Sequence, residues 1–126
     1  TLGIPCELGG FFVDMPERIA KSHLVIARSG ASTVSELSVL GRPSILVPYP
    51  HALDHDQARN AERLEQAGGA VLTLQKNIGP VRLSQLLARL MNLKSGELST
   101  MADAARQAGR PKAVEQLAVE VEALAK

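Results

Sequence analysis

The sequence predicts an α/β fold, a Rossmann-like parallel sheet with flanking helices. Three observations carry that expectation. Short, largely apolar runs at Leu24–Ala27, Ser44–Val47 and Ala70–Leu74 each lead through a turn into a segment of helical periodicity. Strands apolar at successive positions are buried on both faces, as in a parallel sheet covered by helices. The apolar residues, 45% of the chain, are aliphatic: two Phe, one Tyr and no Trp leave Ala, Leu and Val to fill the core. The strand–helix alternation occurs three times before the pattern turns to helices alone, which is the order of a doubly wound domain. At 126 residues the chain has room for one such domain and not two.

Taken in order, Phe11-Phe12-Val13 is the most strand-like piece of the opening segment. Asp14 stands where a helix N-cap belongs, and Pro16 falls in the first turn, where a missing N–H costs nothing. Met15, Ile19 and Ala20 form the apolar face of a short helix over 15–22. His23–Ala27 reads as a buried strand in a central position. Ser32 is a good N-cap for the next helix, and Thr33-x-x-Glu36 fits a capping box. Val34, Leu37 and Leu40 form that helix's inner face, and Gly41 closes it. Ser44–Val47 is the second strand, stopped by Pro48 and Pro50. After a loop, Ala58, Ala61, Leu64 and Ala67 mark a helix running to Gly68-Gly69, and residues 70–74 form the third strand. Gly79-Pro80 opens an amphipathic helix through Leu83, Leu86, Leu87, Leu90 and Met91. Residues 97–109 and 113–125 complete the chain as helices.

Composition excludes several function classes. The net charge is +1 with no basic run, so a phosphate-tracking nucleic-acid surface is not expected. The single Cys6 rules out an internal disulfide framework and suits a reducing cytoplasm. No apolar stretch approaches the ~20 residues of a membrane span. The opening Thr-Leu-Gly-Ile-Pro lacks the charged region of a signal peptide and reads as the middle of a longer protein. The visible strands number about four, fewer than the roughly five or six of a full doubly wound domain, which points the same way.

In open α/β sheets, ligands bind outside the C-terminal strand ends, where loops lead into helices. Arg28-Ser29-Gly30-Ala31-Ser32-Thr33 is such a loop. Gly30 is expected to permit a turn other residues cannot make, and the helix start offers free N–H groups and a positive end to a phosphate. Glu36, one turn on, is placed to accept hydrogen bonds from sugar hydroxyls, and Arg28 to neutralise a phosphate. The same residues also read as an ordinary capped strand-to-helix turn with a solvated arginine. The loop from Pro48 to Asn60 brings Asp56 and Gln57 to a helix start; there too an N-cap is the plain alternative. His51 and His55 have metal-like spacing, but the proline-rich loop gives no helix at His51 and no third ligand follows, so no metal site is expected. Ser29, Ser32 and Ser35 lie in no nucleophile elbow.

Taken together, Phe11-Phe-Val-Asp-Met15, Arg28-Ser-Gly-Ala-Ser-Thr-Val-Ser-Glu36, Gly41-Arg-Pro-Ser-Ile-Leu-Val-Pro48 and Asp56-Gln57-x-x-Asn60-Ala61 resemble the MurG family. These are the transferases of peptidoglycan synthesis that move N-acetylglucosamine from UDP-GlcNAc to undecaprenyl-diphospho-MurNAc-pentapeptide. The resemblance runs from about residue 9 to the end. It implies a GT-B glycosyltransferase of two Rossmann-like domains, of which residues 1–126 would be a partial C-terminal, donor-binding one. It implies that Phe12 backbone groups read the uracil edge, with Phe11 beside the base or phosphate. Ala31, Ser32 and Thr33, with Gly30, would meet the diphosphate, Glu36 the ribose, and Asp56 and Gln57 the sugar, with Arg28 near the phosphates. It implies no tightly bound cofactor. The acceptor, the general base and the membrane contact would belong to an N-terminal domain, on the cytoplasmic face of the bacterial inner membrane, and these residues alone would be inactive. Family members often carry Gln or His at the position of Asp56, and the family's glycine-rich loop is not in this sequence. Two alternatives are a stand-alone nucleotide-binding or regulatory module and another UDP-sugar enzyme of the same fold, such as an epimerase.

Overall fold

The computed structural model describes residues 7–10, 13–50 and 56–109. Its centre is the strand β2 (Ser44–Leu46), which is buried at every position. β2 pairs in parallel with β1 (Val25–Ala27) on one side and with β3 (Ala70–Leu72) on the other. The register sets Ile45 between Ile26 and Val71. The three strands follow the order β1-β2-β3, so each strand-to-strand connection must cross over through a helix.

Those helices are α1 (Met15–Ala20), α2 (Ala31–Leu40), α3 (Asp56–Ala67), α4 (Pro80–Leu90) and α5 (Glu97–Ala108), with a 3₁₀ turn at Gln75–Asn77. Alternation along β2 divides the core. Leu46 faces Ile19 of α1, Leu37 of α2, and Ala61 and Leu64 of α3. Ile45 and Val47 face Leu86 and Leu90 of α4. The helix α5 joins the two halves, with Ala105 in the first and Met101 in the second. A doubly wound arrangement of this kind needs strands apolar on both faces, which is why the runs in the sequence do not alternate.

The structure differs from the sequence expectations in several places. The strands are three residues each, shorter than the apolar runs, and Leu74 is exposed. Among the described residues β1 is an edge strand and β2 the central one. Ile26 is 49% exposed because α4 covers β2 and β3 rather than β1. Val13, expected at the end of a strand, is an exposed turn residue. Asp14 is the N-cap of α1 as expected, but its side chain makes no capping bond; its carboxylate instead accepts from Arg18 Nε at 2.8 Å. That bond, one helical turn away, holds the Asp14 carboxyl below the usual carboxylate range. The helix expected over 113–125, the strand expected at Phe11 and Phe12, and Cys6 lie outside the described residues.

Two glycines have physical work. Gly41 ends α2 at φ 65°, and its N–H and that of Arg42 bond back to Ser38 and Leu37. Left-handed backbone at a helix end is where glycine escapes the Cβ penalty. Gly69 precedes β3 with Leu64 of α3 and Ala105 of α5 pressed against it. A Cβ there would stand 2.9 Å from the Ala105 Cα, inside contact distance of backbone. Gly69→Ala is therefore expected to cost about 1–3 kcal/mol of stability, the usual penalty of overpacking. Urea unfolding followed by circular dichroism would test this, and an unchanged midpoint would contradict the close packing of β3 on α5.

Candidate functional site

Because the strands are parallel, Ala27, Leu46 and Leu72 end on one edge of the sheet. Two loops leave that edge together and run into the N-termini of α2 and α3. The site is built from those two loops and the helix turns that follow them.

The first loop, residues 28–30, enters α2 through Gly30, which is the N-cap in extended backbone at φ −61° and ψ 152°. Two sequence expectations are corrected here. Ser32 is not the N-cap and no Thr33–Glu36 capping box forms, because the helix starts at Ala31 and both residues already lie inside it. Gly30 does not take a turn closed to other residues, since φ −61° suits any of them. The position is open: a Cβ at Gly30 would meet nothing within 4 Å, as is also true of Gly79 and Gly96, the N-caps of α4 and α5.

The first helical bond runs from the Val34 N–H to the Gly30 carbonyl at 3.0 Å. The N–H groups of Ala31, Ser32 and Thr33 thus have no partner within the helix, and no side chain caps them. A ten-residue helix with its first N–H groups uncapped presents a positive end to open space. Glu36 follows Ser32 by one turn. It shares with Ser32, Ser35, Val39, Leu40 and Pro16 an open depression of about 590 Å³. Its half-buried carboxylate makes no hydrogen bond or ion pair among the described residues.

The second loop supplies Pro48, Tyr49 and the start of α3. Asp56 is the first, exposed residue of α3. Gln57 Oε1 accepts from the Tyr49 N–H at 2.8 Å, which holds the side chain toward the strand ends and leaves its amide nitrogen to donate. Arg28 leans across from the first loop. Its Nη1 lies 3.4 Å from the carbonyls of Val47 and Pro48, and its guanidinium sits 5.4 Å from the centre of the Tyr49 ring. That charge is engaged with the second loop by long hydrogen bonds and a cation–π contact.

Arg28, Gly30, the first turn of α2 and Gln57 thus share one edge of the sheet. Glu36 lies farther along the face of α2 that opens toward α1. Phe11, Phe12, His51 and His55 lie outside the described residues. Among the described residues no group of three or more His, Cys, Asp or Glu is placed to hold a metal ion. No described helix is long and apolar enough to cross a membrane.

Three contributors escaped the sequence reading. Ser29, fully buried, donates from Oγ to the Gln57 carbonyl at 2.6 Å. Asn60 Nδ2 donates to the Ser29 carbonyl at 3.1 Å. Tyr49 carries both the Arg28 contact and the bond to Gln57. The available signals were faint: Asn60 follows Gln57 by three residues and so shares its helix face, and Tyr49 is the sole tyrosine, set between prolines.

Comparison with known proteins bears on the chain as a whole. The chain is 55% identical over 124 residues to the UDP-N-acetylglucosamine–N-acetylmuramyl-(pentapeptide) pyrophosphoryl-undecaprenol N-acetylglucosamine transferase of Rhizobium etli strain CIAT 652. That match covers 98% of this chain and 33% of the relative. The protein of the same name from Brucella canis is 52% identical, with 98% and 32% covered. The crystal structure of Acinetobacter baumannii MurG superposes with a TM-score of 0.79 at 34% identity, over 92% of this chain and 34% of that one. This chain therefore spans about a third of the length of these relatives. The fold is the α/β, Rossmann-like one of a GT-B glycosyltransferase. Residues 2–117 match the glycosyltransferase family 28 C-terminal domain, and the chain belongs to that family.

Proposed function

We propose that this chain is the donor-binding half of an inverting glycosyltransferase. The parent enzyme moves N-acetylglucosamine from UDP-GlcNAc to undecaprenyl-diphospho-MurNAc-pentapeptide, the lipid-linked acceptor, as the relatives' names describe for them. The observation that carries this reading is the uncapped first turn of α2 beneath the open space at Gly30, with the unpaired Glu36 carboxylate one turn beyond Ser32.

In this reading the N–H groups of Ala31, Ser32 and Thr33 take the diphosphate and Glu36 takes the ribose hydroxyls. Gln57, with Asp56, contacts the N-acetylglucosamine, the backbone of Phe12 would read the uracil edge, and Phe11 would meet the base or phosphate. The acceptor's 4-hydroxyl attacks the anomeric carbon as the bond to the diphosphate breaks. Negative charge then grows on the leaving UDP, and a fixed helix N-terminus stabilises charge without reorganising. Arg28 adds a cation at the same edge once it swings from the Tyr49 ring. No tightly bound cofactor is required. The proton of the attacking hydroxyl leaves to a general base on an acceptor-binding domain. That domain also meets the membrane, on the cytoplasmic face where a lipid-linked acceptor would be presented.

Titration calorimetry with UDP-GlcNAc, UDP and ADP tests the donor site. Uridine ligands are expected to bind and ADP to bind more weakly; equal binding of all three would favour a general nucleotide module. Glu36→Ala is expected to cost about 1.5–3 kcal/mol of UDP affinity, the worth of charged hydrogen bonds.

Gly30→Ala separates space from backbone. The substitution is expected to leave stability within about 1 kcal/mol, because the φ is ordinary and alanine's poorer N-cap preference is offset by the lower entropy of its unfolded chain. Donor affinity should nevertheless fall, since the new methyl enters the space above the first turn of α2. Unchanged affinity would place the diphosphate elsewhere.

One domain cannot form both walls of a two-domain cleft. The isolated chain is therefore expected to show no transfer to lipid-linked acceptor, and measurable turnover would overturn the division of labour proposed here.

A further inference from the structure

The two loops at the strand ends are tied together by a buried link that none of the roles above uses. Ser29 immediately precedes the N-cap of α2 and is fully buried. Its Oγ donates to the Gln57 carbonyl at 2.6 Å, and its own carbonyl accepts from Asn60 Nδ2 at 3.1 Å. Both partners belong to the opening turns of α3 and lie three residues apart on one face. Two bonds from one residue to two points on one helix fix rotation as well as distance. A third bond, from the Tyr49 N–H to Gln57 Oε1 at 2.8 Å, sets the Gln57 side chain within that frame.

We propose that Ser29 is a positioning residue for sugar nucleotides. It locks the first turn of α3, which carries Gln57, against the first turn of α2, which carries the uncapped N–H groups. A ligand whose diphosphate and sugar are joined at a fixed separation is then recognised as one body. A ligand ending at the diphosphate gains nothing from the lock. This inference rests on the donor reading above. A buried hydroxyl is more costly than a methyl unless its hydrogen bond is made, and here that bond is spent on a carbonyl that a helical N–H four residues on can also satisfy. The geometry it imposes on α3, rather than the satisfaction of that carbonyl, is what the hydroxyl supplies.

The test is a double-mutant cycle with Ser29→Ala and Gln57→Ala, measuring UDP and UDP-GlcNAc affinities by calorimetry on the full 126-residue chain. Ser29→Ala is expected to leave UDP affinity within roughly twofold and to weaken UDP-GlcNAc roughly three- to tenfold, the loss of one neutral hydrogen bond. In the Gln57→Ala background Ser29→Ala should add no further sugar-specific loss, because residues acting through one another are not additive. Equal loss for both ligands, or additive losses, would overturn the proposal and leave Ser29 a structural residue. Ser29→Cys, close in volume with a weaker donor, should fall between the two and serves if the alanine variant does not fold. Amide hydrogen exchange without ligand reads the lock itself: exchange at the Tyr49 N–H, which donates to Gln57 Oε1, should quicken in Ser29→Ala, and unchanged exchange would overturn the proposal. If the unsubstituted chain binds UDP-GlcNAc no tighter than UDP while that exchange does quicken, the sugar-contact reading fails and the lock stands as a feature without that ligand.

Discussion

The structure depends on β2 being buried on both faces between parallel partners. Parallel pairing leaves each strand to be followed by a helix that returns across the sheet, so every strand-to-helix loop emerges at the same edge. The side chains of β2 and of Val47 just after it divide the core, Leu46 to α1, α2 and α3 and Ile45 and Val47 to α4. As at Ser44, whose fully buried Oγ has no hydrogen-bond partner among the described residues, a polar group in that strand carries a buried cost. Its loops, by contrast, are free to carry polar groups, and Pro48, Tyr49 and the start of α3 stand at its end.

This constraint also explains why the candidate site has so few charged residues in direct play. A helix N-terminus supplies partial positive charge from backbone that is already fixed. The site needs only a helix left uncapped, a residue without Cβ above it, and a path for the ligand. α2 meets the first two conditions through Gly30 and the absence of a capping side chain. α4 and α5 also start at uncapped, open glycines, Gly79 and Gly96, so what sets α2 apart is the company of Arg28, Glu36 and Gln57. Gly69 also lacks a Cβ, but there the space is filled by Ala105 and Leu64. Gly30 and Gly69 look alike in the sequence and differ only in what stands beside them.

The loops differ from the core in how they are held. Helices α2 and α3 pack through Leu37, Ala61 and Leu64 near the sheet. At the strand ends the join passes to hydrogen bonds involving Ser29, Asn60, Gln57 and Tyr49. Apolar contacts fix the spacing of elements but tolerate sliding, whereas hydrogen bonds demand distance and direction. A site that must hold two groups of one ligand at a set separation has a use for the second kind. Arg28, by contrast, is held by longer bonds and a ring face, an arrangement more readily exchanged for another partner.

The sequence by itself determined the element order and most of the core, because periodicity and helix punctuation are local. Leu37, Ala61, Leu64, Leu86 and Leu90 are buried as their spacing requires, and Gly41 ends α2 in left-handed backbone as a closing glycine should. Four motifs in order also carried the family, since their spacing is a property of the chain and not of its packing. Tertiary structure decided what local rules cannot weigh. Ser32 has the chemistry of an N-cap, but the chain enters α2 two residues earlier, through extended Gly30, and the serine is left inside the helix. Ile26 reads as a buried strand residue, yet it is half exposed, because burial of a strand depends on which helices lie across it. Ser29 and Asn60 are unremarkable letters that meet only because β1 and β2 are neighbours and their loops leave one edge together. Contacts between residues about thirty apart in sequence have no local signature, and the link between the two halves of the candidate site is made of such contacts.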